Sequence, residues 1–233
     1  MRVNTVYDRV TVQGEGAHAG TRCTFVRLYG CNLHCRWCDS AETWDTHGDN
    51  GIAYPYRMNS RTMSVADIAT DVAQLDVDVC VVTGGEPLLQ RDDLLDLTAM
   101  LGMYGIAVHV ETNGTLRPGD LAHHVEYFAV SPKLPSAEAG NAIALPVLRE
   151  FALLGWRRAG FKTVVANLDE LAEVAALYDD IGVERRARWV MPEGITADRV
   201  GAGLVELTEA ALAHGFNVTG RAHVMLWGNE RGR

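Results

Sequence analysis

Cys31, Cys35 and Cys38 fall within eight residues of the stretch CNLHCRWCDS, spaced C-x3-C-x2-C, in a chain of 233 residues that has five cysteines in all. An odd count with three clustered thiols, and no sign of secretion, favours a metal or redox role over a disulfide framework. Structural zinc normally takes four protein ligands, and no second C-x2-C or close histidine pair supplies them, although His34 and His47 lie near enough to keep zinc open. A cube of four irons and four sulfides fits differently. Three thiolates hold three irons, and the remaining iron is left for a ligand that is not protein, so that corner can bind a reactant. Cys23 and Cys80 sit inside apolar runs and read as small buried hydrophobes.

Such a cluster has to be held by something, and the rest of the chain alternates in a way that can hold it. Apolar, β-branched runs occur at RCTFVRLYG, VDVCVVTGG, IAVHVETNG, VEYFAVSPK, GFKTVVANL, RARWVMPEG and FNVTGRAHVML, each closing near a Gly, Pro or polar cluster. These are expected to be strands. Between them SVADIATDVAQL, RDDLLDLTAMLGMYG, LPVLREFALLGW, LDELAEVAALYDDIG and ADRVGAGLVELTEAALAHG show helical periodicity. Ser64 and Asp67 have the spacing of a helix cap, and Gly215 suits a helix stop after His214. The alternation predicts an α/β fold with a mainly parallel sheet, open or curled toward a barrel. The strand ends YGCN, TGGEP, ETNG, SPK and MPEG would then share one rim, where active sites assemble. The stretch 43–61 lacks periodicity and reads as a loop over the cysteines. Asp92, Asp93 and Asp96 read as a solvated helix face.

The net charge of −9 argues against a broad electrostatic grip on nucleic acid or on an anionic membrane surface. MRVNTVYDRV lacks the apolar centre of a signal peptide, and no run is long enough to cross a bilayer, which predicts a cytoplasmic protein. The length suits one domain spanning 1–233.

The cysteine spacing after Gly30 resembles that of the radical S-adenosylmethionine (SAM) enzymes. Trp37 stands where they carry an aromatic residue, and TGGEP (Thr83 to Pro87) resembles their GGE element, which implies that Gly85 and Glu86 hold the methionine amino group. VQGEG, the arginine of FVRLYGCN, CDS, ETNGT and SPK narrow the resemblance to the 7-carboxy-7-deazaguanine synthase family, and it runs on through RAHVMLWGNERG. That resemblance implies a modified, incomplete (β/α) barrel, a homodimer, a reductant (flavodoxin-like or other), a 4Fe-4S cluster, SAM and Mg2+. The implied reaction starts with reductive cleavage of SAM and hydrogen abstraction from 6-carboxy-5,6,7,8-tetrahydropterin. It ends with a magnesium-assisted ring contraction to 7-carboxy-7-deazaguanine, releasing ammonia.

Carried over by position, the resemblance gives Val12, Gln13, Gly14 and Glu15 to the pterin, Arg27 to its carboxylate, and Thr83 to the substrate. Glu111 and His223 are candidates for further polar contacts, whereas His109 is expected to point away from Glu111. A flat heterocycle presents a fixed edge of donors and acceptors, and a guanidinium fork matches a carboxylate. Trp37, Cys38, Asp39, Gly85, Glu86, Ser131, Pro132, Lys133, Met191, Pro192, Glu193 and Gly194 are implied to meet SAM. Asp39 can alternatively support its loop. Ser40 stands where family members commonly have a magnesium-binding threonine, and it keeps the hydroxyl. A terminal carboxylate closes the substrate site in some relatives; the tail WGNERGR runs on past His223, so that role is not carried over.

Two rivals remain on sequence alone. A glycyl-radical activating enzyme shares the cysteine spacing but acts on a protein, and VQGEG and Ser40 favour a small substrate instead. A non-catalytic, metal-stabilised binding or electron-transfer module would leave TGGEP without a purpose.

Overall fold

The computed structural model of the chain describes residues 1–228 and 230; the rest of the WGNERGR tail lies outside them. The N-terminus forms β1 (Arg2–Val6) and β2 (Thr11–Val12), both antiparallel to β3 (Arg22–Leu28), and β4 (Arg61–Thr62) lies antiparallel outside β1. From β3 the sheet continues through β5 (Val79–Gly84), β6 (Ala107–Thr112), β7 (Tyr127–Val130), β8 (Ala159–Val165), β9 (Arg188–Pro192) and β10 (Asn217–Val218), every neighbouring pair parallel. Parallel neighbours need crossover segments. These contain α2 (Val65–Ala73), α3 (Arg91–Met103), α4 (Leu121–His124), α5 (Leu145–Ala152), α6 (Glu170–Ile181) and α7 (Ala197–Ala213). The edge strands β4 and β10 do not pair with each other, so the barrel is incomplete.

Because strand side chains alternate, one face of the sheet carries Val82, Val110, Phe128, Phe161 and Val190, none more than 1% exposed. That face packs against helix residues such as Leu97, Leu101, Phe151 and Tyr178 in the main core. Phe128 meets Phe151 at a ring distance of 5.2 Å, and Phe161 meets Tyr178 at 5.7 Å. The opposite face carries Arg27, Thr83, Glu111 and Lys162. The expected caps are present: Ser64 accepts from the Asp67 N–H, and Gly215, with φ +79°, follows the end of α7.

Three expectations need correction. FNVTGRAHVML is not one strand, because β10 stops at Val218 and α8 (Ala222–Trp227) follows. Within RAHVML the buried residues are Arg221 and Val224, three apart, and the Arg221 carbonyl accepts from the Met225 N–H, so a helical spacing rather than a strand alternation is satisfied. The stretch 43–61 is mostly loop but contains α1 (Tyr56–Asn59) and delivers the chain into β4. His109 does not point away from Glu111; residues two apart on a strand share a face, and His109 lies beneath Glu111 against His18 and Tyr127.

Candidate active site

The C-terminal strand ends and the N-terminal segment surround a cavity of about 480 Å3, the size range of a small-molecule site. One wall is the cysteine loop, with Cys31, Cys35 and Cys38 all lining the cavity. Burial pushes the Cys31 thiol up to about 12, and the neighbouring thiols add to the rise, so this sulfur is a thiol unless a metal holds it as thiolate. Neither nearby histidine completes a zinc site: His34 stacks on Trp44 at 4.6 Å, and exposed His47 is bonded to Thr46. Among the described residues no His, Cys, Asp or Glu trio is gathered around a single ion. Three thiols that share a wall without converging on one point suit a cluster in which each binds its own iron. The 43–61 stretch covers this loop as expected. Its Trp44 Nε1 donates to Cys38 Sγ (3.3 Å) and its Asn50 Nδ2 to the Cys35 carbonyl (3.0 Å).

The glycine pair of TGGEP presses against the cluster loop. A β-carbon on Gly85 would stand 2.1 Å from the Gly30 carbonyl and 2.9 Å from Cys31 Cβ, so a side chain there would push the first cysteine out of place. Glu86 is buried and stands behind the cavity wall. Its carboxylate accepts from the Leu88 and Asn113 N–H groups and from Thr112 Oγ1, which ties TGGEP to ETNG. Burial raises its pKa, with these hydrogen bonds pulling the other way.

Another part of the lining is polar. Glu111 accepts from Gln13 Nε2 (2.9 Å) and Thr83 Oγ1 (2.8 Å), and Gln13 Oε1 accepts from the Glu15 N–H. Burial would lower the Arg27 guanidinium, but Tyr7, Glu42 and Glu111 more than offset it. Burial would likewise raise the Glu15 carboxyl, yet Lys162, Arg221 and His223 hold it far below the usual carboxylate range. Lys162 pairs with Glu15 Oε2, and Arg221 Nε donates to Glu15 Oε1 at 2.8 Å. Burial lowers the His223 pKa despite Glu15, so its ring is neutral at neutral pH. Gly14 lies off the cavity because His223 packs on it; a β-carbon there would sit 2.1 Å from His223 Nδ1.

On the remaining side Trp37, Asp39, Ser40, Ser131, Lys133 and the segment Met191 to Gly194 line the cavity, whereas Pro132 is buried behind it. Arg36 lies over the Trp37 ring at 5.0 Å. Ser40 Oγ donates to the Gly84 carbonyl at 3.4 Å, and Lys133 Nζ donates to Ser131. Of the residues expected at the site, only Gly14, Glu86 and Pro132 are absent from the cavity lining. Sequence reasoning missed Lys162, Arg221 and Trp44. Lys162 could have been found by counting alternate residues of GFKTVV, since its position faces inward; Arg221 and Trp44 depend on loop geometry that has no period.

Residues 25–175 match the radical SAM superfamily. A 7-carboxy-7-deazaguanine synthase from Pyrobaculum aerophilum is 35% identical, covering 100% of this chain and 98% of the relative. The chain belongs to the 7-carboxy-7-deazaguanine synthase family. The synthase of Halobacterium salinarum is 36% identical over 93% of this chain and 87% of its own length, and that of Rhodopirellula baltica 30% over 96% and 86%. The crystal structure of QueE from Escherichia coli shares the fold, with a TM-score of 0.68 at 24% identity over 94% of this chain and 92% of that one. Membership in the family makes the chain a radical SAM lyase whose cofactors are an iron-sulfur cluster and SAM. No described helix is long and apolar enough to cross a membrane.

Proposed function

We propose that the chain converts 6-carboxy-5,6,7,8-tetrahydropterin to 7-carboxy-7-deazaguanine with release of ammonia. The observation that carries this reading is that one cavity is lined both by the three cysteines and by the polar side chains of Gln13, Glu15, Arg27, Thr83 and Glu111. A cavity of about 480 Å3 matches a small heterocycle in size better than the polypeptide segment that a glycyl-radical activating enzyme must admit.

Cys31, Cys35 and Cys38 would hold the cluster, which with SAM would supply one-electron cleavage and hydrogen abstraction. Arg27 offers the substrate carboxylate a planar pair of donors. Glu111 sets the orientation of Gln13 and Thr83, so those side chains meet the pterin edge already ordered. Val12 lines the same side, Gly14 lets His223 pack closely from behind, and neutral His223 offers one ring nitrogen as donor and one as acceptor. Trp37, Asp39, Gly85, Ser131, Lys133 and Met191 to Gly194 receive SAM, while Glu86 and Pro132 support those loops from behind. Ser40 would supply a hard oxygen to Mg2+, the type of ligand that ion prefers. A homodimer, a flavodoxin-like or other one-electron donor and a cytoplasmic setting complete the reading, with residues 1–233 as one domain.

The test is anaerobic incubation of the iron-reconstituted protein with dithionite, SAM, Mg2+ and 6-carboxytetrahydropterin, followed by mass spectrometry. The expected product is 7-carboxy-7-deazaguanine. Formation of 5'-deoxyadenosine alone would retain the radical chemistry and remove the substrate.

A further inference from the structure

Arg221 belongs to none of the strand-end motifs, yet it bonds to three separate segments that line the cavity. It is 7% exposed and precedes α8, whose first N–H, that of Ala222, donates to the Gly14 carbonyl at 2.9 Å. All three guanidinium nitrogens are engaged, each with a different segment. Nε donates to Glu15 Oε1 at 2.8 Å, Nη1 donates to the Gly194 carbonyl at 2.8 Å, and Nη2 pairs with Asp39 Oδ2. Glu15 lies on the pterin side of the cavity, whereas Asp39 and Gly194 lie on the SAM side. The Asp39 side chain is 42% exposed and is the end of this chain of contacts that a ligand can reach, while Glu15 at 11% is the buried end.

We infer that Arg221 is a positioning residue that couples the two halves of the cavity, so that SAM and the pterin tighten each other's binding. This rests on the substrate reading above. A guanidinium is a rigid planar fork; fixing two of its arms fixes the third. When SAM orders Asp39 and the Gly194 carbonyl, Arg221 is held where it presents Glu15 to the pterin, and the second ligand binds a site whose ordering has already occurred. Coupling of this kind is reciprocal, and its usual range is about 5- to 150-fold in affinity.

The experiment is equilibrium binding to the cluster-loaded protein, anaerobic and without reductant so that nothing turns over. SAM affinity is measured with and without 6-carboxytetrahydropterin, and pterin affinity with and without SAM. Wild type is expected to show the same enhancement in both directions, on the order of tenfold. In Arg221→Gln the enhancement falls to near one. Arg221→Lys, which keeps the charge but not the fork, retains only part of it, and Asp39→Asn, which weakens one arm without touching Arg221, also reduces it should Arg221→Gln fold poorly. A staple that only stabilises the fold would weaken each ligand alone and leave the enhancement intact; that result overturns the inference. So does independent binding of the two ligands to wild type, which leaves the substrate reading standing. Failure of the pterin to bind at all removes both.

Discussion

The two faces of the sheet are built from neighbouring residues and obey opposite rules. Val110 and Glu111 are adjacent on β6, yet Val110 is fully buried among apolar side chains and Glu111 accepts from Gln13 and Thr83 in the cavity wall. Phe128 and Ala129, and Phe161 and Lys162, divide in the same way. The helix-facing side gains stability from area removed from water, whereas the cavity side keeps charges out of bulk water by pairing them, Glu15 with Lys162 and Arg221 above all. A one-residue slip in any strand would exchange the two sets, so the apolar face fixes the register that the chemistry uses.

The cysteines break the comparison most sharply. Cys35→Ala is expected to abolish iron loading, since three thiolates are the minimum that holds the cluster. Cys80→Ala, on the helix-facing side, is expected to keep its iron and lose about 1 kcal/mol of stability. Iron content and thermal unfolding of the two variants separate these outcomes; equal iron loss in both would erase the division between the faces.

Phe128→Ala comes next. It empties a fully buried position against Phe151 and is expected to cost about 3–5 kcal/mol by denaturant unfolding. The adjacent-strand change Glu111→Gln leaves packing volume unchanged. It is expected to cost turnover rather than stability, because an amide offers a single acceptor oxygen for the two donors, Gln13 and Thr83, that the carboxylate now satisfies.

This division also explains what the sequence made legible. Six of the seven parallel strands and all five long helices follow from periodicity, which is a property of the apolar face. The cysteine loop and TGGEP carry their chemistry in contiguous residues, so they could be read directly. What escaped depends on contacts between distant segments. β1 and β2 are short antiparallel pieces recognisable only by pairing with β3; α8 has a single buried residue, Val224, and so no apolar period to read; and Arg221 acquires its partners from three loops. Glu86 was legible as a residue, but its burial behind the wall was not.

Arg27→Ala sharpens the contrast within the cavity itself. Arg27 lies on the pterin wall, so its loss is expected to raise the KM for the carboxylated pterin by roughly 10- to 100-fold, the loss of one or two hydrogen bonds to a charged group. Reductive cleavage of SAM without substrate should change less than about twofold. Equal loss of both activities would place Arg27 with the cofactor.

The smallest effect tests whether the inward face is chemical along its whole depth. One layer below Glu111, the strand register aligns Phe25, Val81, His109 and Tyr127, and here the ring of His109 packs against His18 at 4.5 Å and Tyr127 at 5.5 Å. Burial, with a smaller contribution from His18, lowers His109 from an ordinary value near 6.5 to about 4. Between those values the unfolded chain binds a proton that the folded protein refuses, so stability declines as pH falls through about 6.5 and the loss is complete only below the folded value. By about pH 5.5 His109 should account for a loss of about 1 kcal/mol. His18, also lowered by burial, adds a contribution of the same sign. His109→Phe keeps an aromatic ring between these neighbours and removes the proton site, so its melting temperature should fall less than that of wild type between about pH 7.5 and about pH 5.5. Because this layer is packing rather than chemistry, the variant should retain turnover at neutral pH; a large loss of activity there would carry the polar site down to the floor of the barrel.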